Sequence, residues 1–216
     1  MSIIYTPESF DPLSTTQLTN TICEIFERQP LVSMAKEIPN FEGSGLYAIY
    51  YRGSSVALYQ PLSVLQIPVY AGQGRSSNSA TGKKKKTPFA VRNRLKMHRK
   101  SMLGGGLPVD EFRFRALLMP DVHADLGENG LRVGYQPVWN DVLNGFGSNE
   151  QGSATRTSAR TKWDTLHSGR SRTDGGVVHK SDDLAEAVTR RIAQQTSEYA
   201  QLPWPHPSID ILVDPD

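Results

Sequence analysis

Two short stretches limit what this chain of 216 residues can fold into. Gly45 to Gly53 reads GLYAIYYRG, and sixteen residues further on Val69 to Gly74 reads VYAGQG. Each has the form of a short strand with a tyrosine at its heart and a glycine at its close. The intervening SSVALYQPLSVLQIP is too long for a tight hairpin, so an excursion with a short helical turn is expected. A further strand is expected in EFRFRALLM, where Phe112, Phe114, Ala116 and Leu118 alternate with Arg113 and Arg115, the pattern of a half-buried strand.

Helices are expected around these strands. Residues 15–37 contain one, with Leu18, Ile22, Ile25 and Phe26 at helical spacing after the candidate caps Thr15 and Thr16. Thr87-Pro88 reads as a cap followed by proline at the first helical position, opening a helix to about Lys100 that the glycines at 104–106 end. On it Ala90, Arg94 and His98 lie one turn apart on one side. Asp121 to Tyr135 is expected to be helical, although Gly127, Gly130 and Gly134 lower its propensity. Residues 146–176 form a long loop rich in Gly, Ser, Thr and Arg, with Trp163 in it. A last helix begins at the cap Ser181 and carries Leu184, Val188, Ile192 and Tyr199 on one face.

Charge is distributed unevenly. The net charge is +2, yet no Asp or Glu occurs from Gly43 to Val109, a span with eleven Lys and Arg residues. A bland surface mixes its signs. Exclusion of carboxylates from such a span points to a polyanion, most simply nucleic acid. The run Lys83, Lys84, Lys85 and Lys86 taken alone reads as a solvated loop, but within this acid-free span its four lysines are candidates to bind the phosphates of DNA. One cysteine, Cys23, excludes an internal disulfide. No apolar run is long enough to span a bilayer and the first residues lack a basic n-region, so a cytoplasmic protein without a membrane partner is expected.

The tyrosine strands, the helix with Arg94 and His98, and the later ENGLRVGYQPVWN occur in a telling order. Together they resemble the GIY-YIG nuclease superfamily. Gly45-Leu46-Tyr47 stands for the first motif and Tyr70-Ala71-Gly72 for the second, with alanine in place of the usual isoleucine or valine. Arg94 takes the place of the family's helical arginine. Glu128, followed by Leu131, Pro137 and Asn140 in register, takes the place of its metal-binding glutamate. The resemblance covers residues 43–145. Further on, GFGSNEQGSATR and WDTLHSGR look like the C-terminal part of the type II restriction endonucleases of this superfamily that cut the palindrome CCGCGG, where histidine also occupies the position of His98.

The resemblance implies an α/β (α+β) domain with a small three-stranded antiparallel sheet flanked by helices. Its catalytic core would span 43–145, with a helical N-terminal extension over 1–42 and a DNA-reading loop and C-terminal helix over 146–216. It implies a double-strand DNA endonuclease dependent on magnesium (Mg²⁺), needing no nucleotide cofactor and acting as a homodimer or tetramer on a palindrome. The alternatives are a structure-specific repair or mobile-element nuclease and a DNA-binding protein whose site has decayed.

The same residues suit the chemistry. Phosphodiester hydrolysis needs an activated water and stabilisation of charge at the phosphate and leaving oxygen. Arg94 supplies a permanent forked cation. Glu128 supplies a hard oxygen for Mg²⁺, which would stabilise the leaving 3′-oxygen as a Lewis acid. Tyr47 would take the proton of water as a phenolate made accessible by Arg94, a metal or His98. Tyr70 and His98 would position it or relay the proton, and Asn140 would hold the site in shape. Singly these are ordinary residues: a strand tyrosine usually packs, and an Arg–His pair one turn apart is usually solvated. Their combination carries the weight. In the long loop, Arg156, Arg160, Arg170 and Arg172 are candidates to read guanine through O6 and N7. Tyr50, Tyr51 and Tyr59, and likewise Cys23, His123, His179 and His206, are expected to be structural or exposed.

Overall fold

A computed structural model describes residues 14–77, 81–83, 88–147, 160–170, 178–205 and 212–213. The elements run α1 (Thr15–Glu27), β1 (Leu31–Ser33), β2 (Gly45–Tyr51), α2 (Gln60–Leu65), β3 (Pro68–Gly74), α3 (Ala90–Gly104), β4 (Phe112–Leu118), α4 (Asp121–Tyr135), α5 (Lys162–Leu166), α6 (Ser181–Glu198) and β5 (Leu212–Val213). A 3-10 turn, Ala57–Tyr59, leads into α2 and supplies the expected excursion between the tyrosine strands.

The sheet is larger than the three strands expected. Its order is β3-β2-β4-β1-β5. Each neighbouring pair among the first four strands of that order is antiparallel, and the two-residue β5 lies parallel to β1. β1 is three residues long inside a stretch read as part of a helical region, too short for periodicity to declare itself. β2 is central between β3 and β4, and all seven of its residues are buried.

Neither face of the sheet is left to water, which corrects the reading of β4. Phe112 and Phe114 are buried as expected, but Arg115 is also buried and Leu118 is exposed. Arg115 points into the layer formed by α1 and α4. There its Nη1 donates to Glu27 Oε2 at 2.8 Å, Nε donates to the Gln29 carbonyl at 2.8 Å, and Nη2 donates to Gln66 Oε1. The Tyr135 hydroxyl donates to Glu27 at 2.9 Å and the Arg115 guanidinium lies 4.9 Å over the Tyr50 ring. A buried arginine is tolerable because its charge is matched and its donors are used.

The helix ends differ in detail from expectation. Thr15, Thr16 and Ser181 are inside or beginning their helices rather than capping them, and α3 starts at Ala90, two residues after Pro88. Thr87 lies outside the described residues. No helix among the described residues is long and apolar enough to cross a membrane. One buried cluster runs from Ile22 in α1 through the sheet to Trp163 and Trp204.

α4 forms in full despite its three glycines, and their role is packing. A Cβ at Gly127 would lie 2.7 Å from Ile22 Cγ2 and 2.8 Å from Leu46 Cδ2; one at Gly130 would lie 2.5 Å from Thr19 Cγ2. The glycines let α4 approach α1 and β2 closely enough to bring Glu128 to the sheet. Gly127→Ala should therefore destabilise the fold by about 1–3 kcal/mol through overpacking, outweighing the ~1 kcal/mol gained in helix propensity. Urea unfolding checks this, and a more stable variant would refute the close-packing account.

Candidate functional site

Strand pairing brings the two tyrosines together. Tyr47 of β2 stands opposite Gly72 of β3. Alternation along β3 puts Tyr70, Gly72 and Gly74 on the face that α3 covers. A Cβ at Gly72 would lie 2.7 Å from Tyr47 Oη and 2.9 Å from Tyr70 Cε1, so the glycine makes room for both phenols. The ring centroids are 6.3 Å apart.

α3 delivers His98 and Arg94 onto these rings, one turn apart. Tyr47 Oη and His98 Nε2 are 2.7 Å apart. Burial pushes the Tyr47 phenol well above its ordinary range, and the neighbouring Arg94 charge does not offset this. Burial, followed by the charges of Arg94 and Arg170, pushes the His98 imidazole well below its own. Both partners are thus neutral at rest, and in the Nδ1–H tautomer of His98 the phenol donates to Nε2. In the resting pocket burial outweighs the neighbouring cation and favours the phenol over the phenolate. Tyr70 is also raised by burial, and it shares hydrogen bonds with Arg94 and Tyr47. Phe146 stacks on His98 at 4.6 Å and meets Tyr70 edge-on at 5.1 Å. Arg94 Nη2 donates to the Gly147 carbonyl at 3.2 Å. A Cβ at Gly147 would lie 2.3 Å from Tyr70 Oη, so bare backbone lies against the phenol.

Glu128 arrives from the other face. Leu46 and Gln73 point toward α4, and Gln73 Nε2 donates to Glu128 Oε2 at 2.7 Å and to Asp125 Oδ1 at 2.6 Å. Asp125 also pairs with Arg75. Burial raises the Glu128 carboxyl, opposed by the Gln73 hydrogen bond and the charges of Arg132 and Arg94. The Glu128 charge in turn acts on Tyr47 and Tyr70. The two halves therefore share one electrostatic environment where β3 forms the sheet edge. Among the described residues, no three His, Cys, Asp or Glu side chains cluster as a ready metal cage. Yet the donors Glu128 and Asp125 are hard carboxylates, and the buried Gln73 Oε1 beside them has no hydrogen-bond partner among the described residues. That set fits Mg²⁺, which commonly takes one or two carboxylates and keeps its waters.

Asn140 holds the edge. Its Oδ1 accepts from the Ala71 N–H at 2.8 Å and its Nδ2 donates to the Ala71 carbonyl at 2.9 Å. Gln73, Asp125, Phe146 and Gly147 were not singled out in the sequence. The available signals were position alone: Gln73 follows the second motif directly, and Asp125 precedes Glu128 by one helical turn.

The basic residues divide. Lys83 is exposed, while Lys84, Lys85 and Lys86 lie outside the described residues, as do Arg156 and Arg172. Several arginines of the acid-free span have internal partners: Arg52 donates to the Ser63 carbonyl, Arg92 to Pro39 and Arg99 to Met34 and Ala35. The span's composition thus partly reflects loop anchoring. Arg160 is exposed just before α5. Arg170 turns inward: its Nε donates to buried Asp164 at 2.6 Å, and its guanidinium lies 4.5 Å over the Trp163 ring. In this conformation the guanidinium of Arg170, a candidate to read guanine, is held by Asp164 and Trp163. Beside it His167 is buried, 2.7 Å from the Tyr59 hydroxyl.

A family model described as the Eco29kI GIY-YIG domain matches residues 39–196. A search of curated proteins finds no match.

The buried histidines set a pH dependence. Burial lowers His167 from 6.5 to about 4 and lowers His98 as well. Below about pH 6.5 the unfolded chain binds protons that the folded one refuses, so stability should fall as pH falls. For His167 the loss continues to about pH 4 and is on the order of 3 kcal/mol. Urea midpoints at pH 7 and pH 5 test this. His167→Gln should show a flatter dependence than wild type, and an equal one would remove His167 as a contributor.

Proposed function

The chain belongs to the Eco29kI GIY-YIG domain family, a nuclease superfamily associated with DNA cleavage, and from that premise we propose that it is a type II restriction endonuclease. Its substrate is double-stranded DNA carrying a GC-rich palindrome, CCGCGG by resemblance, and its setting is the cytoplasm. The observation that carries this reading is the meeting of Tyr47, Tyr70, Arg94 and His98 with Glu128 around the edge of β3.

In the proposed reaction Arg94 turns its forked donors to the scissile phosphate, exchanging the Gly147 carbonyl for phosphate oxygens. Tyr47 accepts a proton from the attacking water as it passes its own to Nε2 of His98, so the proton count balances and no free phenolate is needed beforehand. The resulting imidazolium, disfavoured by burial and Arg94, returns its proton to Tyr47 as Tyr47 releases one to solvent, and the leaving 3′-oxygen takes a proton from solvent to become the hydroxyl. Tyr70 orients Tyr47 and the phosphate. Glu128, with Asp125 and Gln73 beside it, would hold the Mg²⁺, which when bound stabilises the leaving 3′-oxygen. The products carry 5′-phosphate and 3′-hydroxyl ends.

One catalytic set cuts one strand, so a palindrome calls for two copies related by a two-fold axis, as a homodimer or within a tetramer. Lys83 to Lys86 supply phosphate contacts, and Arg156, Arg160 and Arg172 are the arginines proposed to reach base edges.

Incubation with plasmid DNA and Mg²⁺, followed by sequencing of the ends, tests the reading. Wild type should cut at one short palindrome. Tyr47→Phe keeps the ring but loses the proton path and should lower the rate by roughly 10²–10⁴-fold. Glu128→Gln should abolish cutting while retaining specific binding. Near wild-type cleavage by either variant would remove that residue from the chemistry.

A further inference from the structure

Next to the site, α4 and the turn after it enclose a groove of about 430 Å³ lined by Asn129, Arg132, Val133, Gln136, Pro137, Asn140 and Asp141. It begins at Asn140, which clamps β3 at the catalytic edge, and at Asn129, which follows Glu128 in the chain. Arg132 lies one turn beyond Glu128, on the same side of α4. Resting on the nuclease reading above, we propose that this groove receives the DNA strand flanking the scissile bond, and that Arg132 contacts a phosphate beside the one that is cut.

The lining has the chemistry of a sugar–phosphate track. Arg132 is exposed, and its guanidinium makes no ion pair or side-chain hydrogen bond among the described residues. That is unlike Arg52, Arg92 and Arg99, which are spent on carbonyls. The one acid of the lining, Asp141, is matched by Arg191 of α6, whose Nη2 lies 2.6 Å from Asp141 Oδ2. The groove therefore does not repel an anion as its composition suggests. Asn129 contributes a neutral amide, a group that accompanies cations in phosphate and sugar contacts, while the amide of Asn140 is held by Ala71 and Gln136 Oε1 accepts from Arg191. Location adds direction. Arg94 stands on the α3 face of the sheet and Arg132 on the α4 side, so a strand crossing the edge of β3 would meet one guanidinium on each side of Glu128. The influence of Arg132 on the Glu128 carboxyl agrees with this nearness.

The test is DNA binding in Ca²⁺, which permits binding without cleavage, over a range of salt. Arg132→Ala should flatten the dependence of log K on log salt by ~0.9, equally on cognate and random DNA. Arg132→Lys should retain the slope. Single neutral methylphosphonates placed around the cut site should weaken wild type at a position adjacent to the scissile phosphate and leave Arg132→Ala indifferent at that position. Arg190→Ala on α6 serves as control for loss of an exposed charge and should leave the slope unchanged. An unchanged slope for Arg132→Ala, or equal sensitivity of both proteins at every methylphosphonate, would overturn the groove proposal while leaving the nuclease reading intact. A wild-type protein that neither binds DNA nor cuts it would instead overturn the nuclease reading itself.

Discussion

A side-chain amide takes the place of a neighbouring strand at the edge of this sheet. β3 is terminal in the order of strands, and an unpaired edge leaves backbone donors and acceptors unsatisfied. Asn140 meets both at Ala71, and the Trp139 N–H donates to the Val69 carbonyl at 2.9 Å. The segment that leaves α4 is thereby fastened to the strand carrying Tyr70. At the front of α4, Gln73 of the same strand holds Glu128 and Asp125. Helix and strand are joined at both ends of the Glu128 segment, so the carboxylate keeps its position relative to the tyrosines although the two belong to opposite faces. The close approach at Gly127 and Gly130 makes that joint possible, because a helix held off by methyl groups could not reach Gln73.

What the sequence revealed and concealed follows from how far each interaction reaches along the chain. The tyrosine strands, α3 with its Arg94 and His98, and the Glu128-to-Asn140 register were legible because each is a local pattern of a few residues. β1 and β5 were not, since three and two residues hold no period and exist only through pairing with distant partners. Arg115 looked like a solvent-facing residue of an alternating strand. Its partner Glu27 lies 88 positions away, and nothing near either residue announces the pair. The glycines of α4 counted against a helix by propensity, yet they were the sign of a tight helix contact. The acid-free span overstated the free positive surface, because an arginine bonded to a carbonyl and one facing DNA look alike in sequence. Arg170 shows the same ambiguity inside the long loop, where Asp164 and Trp163 claim it.

Burial, more than charge, sets the resting state of the site. Arg94 beside two phenols favours their ionisation, but both tyrosines are raised because water is excluded from them. The same exclusion keeps His98 neutral. A protonated phenol hydrogen-bonded to a neutral imidazole is the stable pairing in a dry pocket, since neither partner carries charge there. Such a pair remains able to shift its proton by one bond length once an anion and a cation arrive together. In the proposed reaction the phosphate and its metal would bring those charges, so activation would be tied to substrate and not to pH. The Gly147 carbonyl fits this economy. It accepts from Arg94 at 3.2 Å with a neutral dipole, satisfying the guanidinium without the tight charge pairing that a carboxylate would make. A phosphate oxygen, being anionic, forms the stronger hydrogen bond and can replace it. An aspartate there would hold Arg94 against the incoming DNA. The contact that quiets the site in the absence of substrate is thus weak enough to give way to it.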